Sequence, residues 1–174
     1  MINILFGIIS LLILGIVQIS FLTTWPLPVS SLNLVLSLVI FLTVMINYQK
    51  GLWWALGAGL FLELYSGAMF GITTLSLIMT VLGVNFLFNN FFTNRSLYSL
   101  VILGFFGSVI YNLLILSLNF IGVLLKQNVY FLFFDFWSQF FWQPVFNVLV
   151  LMVIFFAYYL STGRLKNLFL FPAN

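Results

Sequence analysis

Long apolar runs, broken at intervals by Pro, Gly, Asn and a few charged residues, constrain the fold of this 174-residue chain most strongly. Hydrophobic residues make up 64% of the sequence and charged residues only 4%, so a soluble domain built from it would lack the charged surface that keeps a protein in water. The runs are continuous rather than alternating, which favours helices over a transmembrane β-barrel. The sequence therefore predicts an all-α, polytopic integral membrane protein.

Six of these runs approach the length of about 20 residues that a helix needs to cross a bilayer. The breaks between them predict transmembrane helices over residues 2–22, 31–48, 51–68, 72–91, 97–124 and 142–161. The first run lacks both a basic residue ahead of it and a small-residue cleavage site, so we interpret it as a retained helix rather than a signal peptide. We expect residues 1–174 to form a single six-helix transmembrane domain.

The basic residues predict the orientation of these helices. If both termini are cytoplasmic, four of the five basic residues lie on the cytoplasmic side, namely Lys50, Arg95, Arg164 and Lys166. Lys126 then lies on the outer side. This distribution follows the positive-inside rule. We therefore expect a multi-pass protein of the cytoplasmic membrane with its N and C termini in the cytoplasm.

The chain has neither Cys nor His, and its acids are Glu63 and Asp135. These absences argue against thiolate nucleophiles, against most zinc sites and against the usual general base. A two-carboxylate mechanism would need two acids from different segments to meet. A formal charge of +3 is too small to indicate nucleic-acid binding. We expect a protein that is not an enzyme and that binds no cofactor and no nucleic acid.

Glu63 is an isolated acid within the third apolar run. A charged side chain at the centre of a transmembrane helix costs roughly 2.5–3.5 kcal/mol on insertion scales, and such groups usually face protein or a water-filled cavity. Small residues stand four positions away on either side, at Gly59 and Gly67. Small side chains let a second helix approach closely. The pattern predicts that Glu63 lies in a helix-packing groove, where it organises the bundle or binds a partner.

The fifth run contains a similar row, Gly104, Ser108 and Asn112. Counted from the cytoplasmic end at about 1.5 Å per residue, Asn112 and Glu63 fall at a similar depth. The hypothesis is that these two side chains hydrogen-bond, or share a site, between the third and fifth helices.

Residues 130–142 are densely aromatic and fit none of the six spans. One interpretation is a segment that lies at the outer membrane interface, where Trp and Tyr are enriched. The alternative is an outer docking surface for a partner, formed by Asp135, Trp137 and Trp142, because aromatic residues are also enriched at protein interfaces.

The run from Gly51 to Leu75 resembles the most recognisable segment of the rod shape-determining protein MreD family. In that family, small residues precede an acid, and S-G-x-x-x-G leads into the next helix. The matching positions in this chain are Gly57, Gly59, Glu63, Ser66, Gly67 and Gly71. The family usually has Asp where this chain has Glu63. Weaker likenesses are Gln18, the outer turn at Pro26 and Pro28, and Asn33.

The resemblance implies a non-enzymatic scaffold subunit of the bacterial elongation machinery in the inner membrane. Implied partners are the single-pass protein MreC, the peptidoglycan synthase RodA with its penicillin-binding protein and, indirectly, MreB filaments. In that role, Glu63→Gln is expected to weaken partner binding.

Two alternatives stay open. One is the substrate-binding S-component of an energy-coupling-factor vitamin transporter, in which Glu63, Asn112, Trp137 and Trp142 would bind the vitamin. The other is a lipid-modifying enzyme, which the lack of His and the shortage of acids disfavour.

Overall fold

The computed structural model describes residues 2–22, 25, 29–66, 70–92, 94–124 and 133–162. These contain six α-helices: α1 (Ile2–Val17), α2 (Leu34–Phe41), α3 (Tyr48–Ser66), α4 (Ile72–Phe91), α5 (Leu97–Leu124) and α6 (Phe133–Thr162). Helices α1 and α2 continue into π-helical turns, Gln18–Leu22 and Leu42–Ile46, and a 3-10 turn, Val29–Ser31, precedes α2. The prediction of an all-α protein is confirmed for the described residues.

Three helical segments are long and apolar enough to cross a membrane, namely Ile72–Phe91, Leu97–Gly122 and Gln139–Leu160. Two shorter apolar helices, Ser10–Ser20 and Leu34–Ile46, accompany them. Large apolar side chains such as Phe86, Val153 and Leu160 are exposed on the outside of the bundle. In water such a surface would promote aggregation, whereas lipid tails solvate it. The chain is therefore a membrane protein.

Helix α2 and its π-helical turn lie at the centre of the bundle, in contact with α3, α4, α5 and α6. Asn33 caps the N-terminus of α2, where its Oδ1 accepts a hydrogen bond of 2.9 Å from the Leu36 N–H. Side chains on every face of α2 are buried, including Leu36, Val39 and Ile40 at 0% exposure. A helix that is apolar all round belongs in the interior of a bundle. The polar cap therefore marks the point where the chain enters the core.

Arg95 closes the opposite end of this central segment. Its guanidinium donates to the carbonyl oxygens of Met45 (3.1 Å) and Ile46 (3.0 Å). The last carbonyls of a helix have no partner within the helix, so a basic side chain is a favourable cap there. This contact fixes the turn between α4 and α5 against the end of the second apolar segment.

The predicted bounds 72–91 and 97–124 agree with α4 and α5, and those of the last helix differ. Helix α6 begins at Phe133, nine residues before the predicted start at 142. A start at 142 would place Pro144 in the first turn, where its missing N–H does no harm, whereas the observed helix continues through Pro144. Residues 133–142 are therefore the first turns of α6, and residues 130–132 lie outside the described part of the chain.

Candidate functional site

Glu63 stabilises the start of the helix that follows its own. Its side chain is 5% exposed near the end of α3, and Oε1 accepts a hydrogen bond of 2.8 Å from the backbone N–H of Thr74. Thr74 is the third residue of α4, and the N-cap of that helix is Gly71, which has no side chain to cap with. The first N–H groups of a helix need an outside acceptor, and the helix dipole favours negative charge there. The carboxyl group of α3 supplies that acceptor.

Gly59 brings α3 and α4 close together one turn before Glu63. A Cβ atom on Gly59 would lie 2.6 Å from Thr74 Cα and 2.9 Å from Thr74 Oγ1. The absence of a side chain at Gly59 therefore permits the approach that places Glu63 beside the Thr74 N–H. The predicted close packing around Glu63 is present, and the neighbouring helix belongs to this same chain.

The other glycines of α3 contact different neighbours. Gly57 faces Leu11 of α1, and Gly51 packs against Thr43 in the π-helical turn after α2. The row of small residues thus winds around α3, and each of these positions is covered from within the bundle. At Gly51, Gly57 and Gly59 the structure favours bundle organisation over an open partner-binding groove.

Gly71 is needed for its backbone conformation. Its φ is +100°, in the left-handed region, and no atom lies within 4 Å of the position that a Cβ would take. Residues other than Gly pay of order 1–2 kcal/mol to enter this region, and Asn pays least. The turn between α3 and α4 therefore depends on the backbone freedom of Gly71, with no steric requirement there.

We expect Gly71→Ala to lower the free energy of unfolding by about 1–2 kcal/mol, and Gly71→Asn to cost less. Thermal unfolding of the purified chain in detergent, followed by Trp fluorescence, measures both. Equal stability of the Ala variant and the wild type would show that the turn does not need the left-handed conformation.

Some of the predicted site residues take no part in the contacts described above. Ser66 is the last residue of α3 and its side chain is outside the described part of the molecule, as is the whole of Gly67. Asp135 lies in the first turn of α6, and its side chain is likewise outside what the structure describes. The other two residues of the predicted outer docking surface lie on α6: Trp137 is 53% exposed and stacks on Phe141, and Trp142 is 47% exposed.

The predicted hydrogen bond from Asn112 to Glu63 is absent. Asn112 is 5% exposed on α5, and its Nδ2 finds no acceptor among the described residues. The row that ends in Asn112 faces α6 instead of α3, since Gly104 packs against Leu151 and Ser108 hydrogen-bonds with Asn147. Asn112 and Glu63 were predicted to lie at similar depth, but the helix faces that carry them do not contact each other.

Asn147 joins three helices at the centre of the bundle. It is 0% exposed on α6, where Oδ1 accepts from the Asn33 N–H (3.0 Å) and Nδ2 donates to Ser108 Oγ (3.0 Å). Ser108 in turn donates to the Gly104 carbonyl at 2.9 Å. These bonds connect the N-terminus of α2 to α5 and α6.

Asn147→Leu is expected to destabilise the chain by about 1–3 kcal/mol, because it leaves the Asn33 N–H without its acceptor inside the bundle. Asn147→Asp keeps the acceptor oxygen and tests which of the two bonds matters more. Both are measured by thermal unfolding in detergent. Stability of the Leu variant equal to that of Asn119→Leu, a change on α5 outside this network, would show that the bonds contribute nothing.

A polar cavity of about 160 Å³ opens beside this network. It lies where the π-helical turn after α1 and the 3-10 turn before α2 meet α5 and α6. Amide and hydroxyl side chains form most of its wall: Gln18, Ser30, Tyr111, Asn112, Gln139 and Gln143.

Comparison with known protein families, with curated proteins and with solved structures found no match to this chain. The resemblance to MreD therefore rests on the residues of the segment 51–75 themselves.

Gln18 and Asn147 are amides that lie within apolar runs of the sequence. Gln18 places both ends of its amide on the backbone before α2, accepting from the Leu34 N–H (2.8 Å) and donating to the Leu32 carbonyl (3.0 Å). Asn147 bonds the Asn33 N–H and Ser108 Oγ. An amide within an apolar run signals a buried hydrogen bond, and its partner becomes visible only when the helices are assembled.

Proposed function

We propose that this chain is a non-enzymatic scaffold subunit of a bacterial cell-elongation complex, of the kind that MreD forms. The segment 51–75, which carries the resemblance, supports this proposal most directly. Its small residues and its acid have specific uses in the α3–α4 hairpin: Gly59 permits the close contact, Glu63 caps α4, and Gly71 makes the turn. These three residues serve the packing of helices, which fits a protein that presents a rigid membrane surface to partners.

The topology that belongs to this proposal has six transmembrane helices and cytoplasmic termini. Its support is the position of the two described cations. Arg95 contacts the carbonyls that end the central segment, and Lys50 lies four residues beyond the second of them, in the first turn of α3. Both cations therefore stand at one end of the bundle, as the positive-inside rule requires of a cytoplasmic face.

The chemistry of the buried groups supports a scaffold better than an enzyme. Several buried polar side chains donate to and accept from helix ends and one another, as in the network of Asn33, Asn147 and Ser108. Such bonds between transmembrane helices contribute modestly, on average about 0.6 kcal/mol each, and serve to set which surfaces meet. In this proposal the bundle holds its shape while its lipid-facing surface binds single-pass and multi-pass partners.

The vitamin-transporter alternative receives less support. Of its four proposed vitamin-binding residues, Asn112 lines the polar cavity, Glu63 caps α4, and Trp137 and Trp142 lie exposed on α6. A cavity of about 160 Å³ is also smaller than the range of roughly 300–1,000 Å³ that is usual for drug-sized ligands.

Affinity purification of the tagged full-length chain from its native membrane, followed by mass spectrometry, tests the proposal. We expect a single-pass MreC-like protein and a peptidoglycan synthase to co-purify at levels well above those in an untagged control. Co-purification with an ATPase module and no MreC-like protein would overturn the scaffold proposal and favour the transporter.

A further inference from the structure

The proposed scaffold function does not explain the polar cavity. Its volume of about 160 Å³ far exceeds the roughly 10–15 Å³ that one water molecule requires. It is too small for a drug-sized ligand. A molecule the size of a single ring, or a headgroup of that size, matches the space.

The wall of the cavity determines the charge of its occupant. The side chains that line it are amides, hydroxyls and apolar groups, with no Lys, Arg, Asp or Glu among its described wall residues. An anion would find no cation to pair with among these residues. Burying an unpaired charge is costly, so an uncharged polar occupant is favoured.

Asn112 indicates what the occupant must offer. It is a wall residue of the cavity, it is 5% exposed, and its Nδ2 has no hydrogen-bond acceptor among the described residues. A buried polar group without a partner costs about 1–3 kcal/mol. In the neighbouring Gln18, by contrast, both the amide nitrogen and the amide oxygen are hydrogen-bonded, to the Leu32 carbonyl and the Leu34 N–H. An acceptor from outside the chain would satisfy Asn112 and offset that cost.

We propose that this cavity binds a small uncharged molecule or headgroup whose amide, hydroxyl or carbonyl oxygen accepts a hydrogen bond from Asn112. Tyr111 and Gln143, which are both buried, and Ser30 complete the polar wall around it. This ligand site is independent of the proposed scaffold function, and the two proposals are tested by different measurements.

Saturation-transfer NMR on the full-length chain in detergent micelles tests the site. Nicotinamide, a water-soluble uncharged amide, is the probe, and nicotinate is its matched anion of the same shape. We expect saturable binding of nicotinamide at concentrations up to about 10 mM, with little or no binding of nicotinate. Absence of saturable nicotinamide binding, or equal binding of both probes, would overturn the proposal.

Asn112→Leu is the decisive variant. It should weaken nicotinamide binding about tenfold or more, the loss expected for one hydrogen bond, while Asn119→Leu on the same helix should bind as the wild type does. Because Asn112 Nδ2 lacks a partner, its replacement should leave the melting temperature of the empty protein unchanged or raised. Gln143→Leu, a change in a wall residue from α6, should weaken binding as well. Unaltered binding in both Leu variants would exclude this cavity as the site.

Native mass spectrometry separates the two sources of such a ligand. A neutral lipid retained by the wild type and lost from Asn112→Leu would identify a glycerol or sugar headgroup. Nicotinamide binding with no such lipid would identify a free solute. A lipid retained equally by both proteins, together with no nicotinamide binding, would contradict the proposal.

Discussion

Gly59→Ala is expected to destabilise the chain, although alanine is intrinsically the better helix residue by about 1 kcal/mol. The added Cβ would lie 2.6 Å from Thr74 Cα, and the backbone of α4 cannot yield as a flexible side chain would. Helices α3 and α4 must move apart, which also lengthens the hydrogen bond from Thr74 to Glu63. Overpacking of this kind costs about 1–3 kcal/mol, and Gly59→Val, with a larger side chain, should cost more.

Gly83→Ala is the matched control, because it makes the same change within α4. A Cβ atom on Gly83 would lie 3.4 Å from the Cδ1 tip of Ile110, an ordinary contact with an adaptable side chain. We expect this variant to be as stable as the wild type or more stable. Thermal unfolding in one detergent compares the two. If Gly59→Ala melts at the same temperature as Gly83→Ala, the contact between α3 and α4 at Gly59 is not tight.

Glu63→Leu should lower the free energy of unfolding by about 1–3 kcal/mol, because the Thr74 N–H then lies buried without its acceptor. Glu63→Gln keeps an oxygen of similar reach and loses only the charge next to the helix N-terminus. That loss costs about 0.3–1 kcal/mol for an ordinary helix end. The order of stability should therefore be wild type, then Glu63→Gln, then Glu63→Leu. A Gln variant as unstable as the Leu variant would contradict the capping role.

The same pair of variants sharpens the expectation for partner binding. The sequence alone suggested that Glu63→Gln weakens binding, because the acid was expected to face a partner. Since its Oε1 is used within the α3–α4 hairpin, we now expect Glu63→Gln to retain the proposed MreC-like partner. We expect Glu63→Leu to lose that partner in proportion to its loss of stability. Loss of the partner from a fully stable Glu63→Gln variant would show that the carboxyl group acts on the partner directly.

The helix bounds that sequence predicts well are those with strong breaks at both ends. Helix α4 begins after Gly71 and ends near a pair of Asn residues, and its predicted range is the observed one. The predicted start of α6 at 142 was wrong, because a membrane helix tolerates Pro in its interior and α6 continues through Pro144. Residues that break helices therefore locate the helices in the sequence, but they do not show which helices pack together.

The partner of Glu63 was not predictable from residue types alone. Sequence reasoning sought a polar side chain at equal depth and selected Asn112, while the acceptor that Glu63 provides goes to a backbone N–H eleven residues later. Every residue except Pro has a backbone N–H, so the residue types do not show which N–H is the donor. The available signal was Gly71, an N-cap without a side chain, which leaves the N-terminus of α4 in need of an acceptor from elsewhere.

Amide hydrogen exchange at Thr74, followed by NMR on the labelled full-length chain in detergent micelles, tests most directly whether Glu63 anchors the α3–α4 hairpin. We predict that the Thr74 N–H is protected in the wild type and in Glu63→Gln, and that Glu63→Leu raises its exchange rate about tenfold or more relative to amides in the middle of α4. An exchange rate at Thr74 that is the same in the wild type and in Glu63→Leu would contradict the capping of α4 by Glu63.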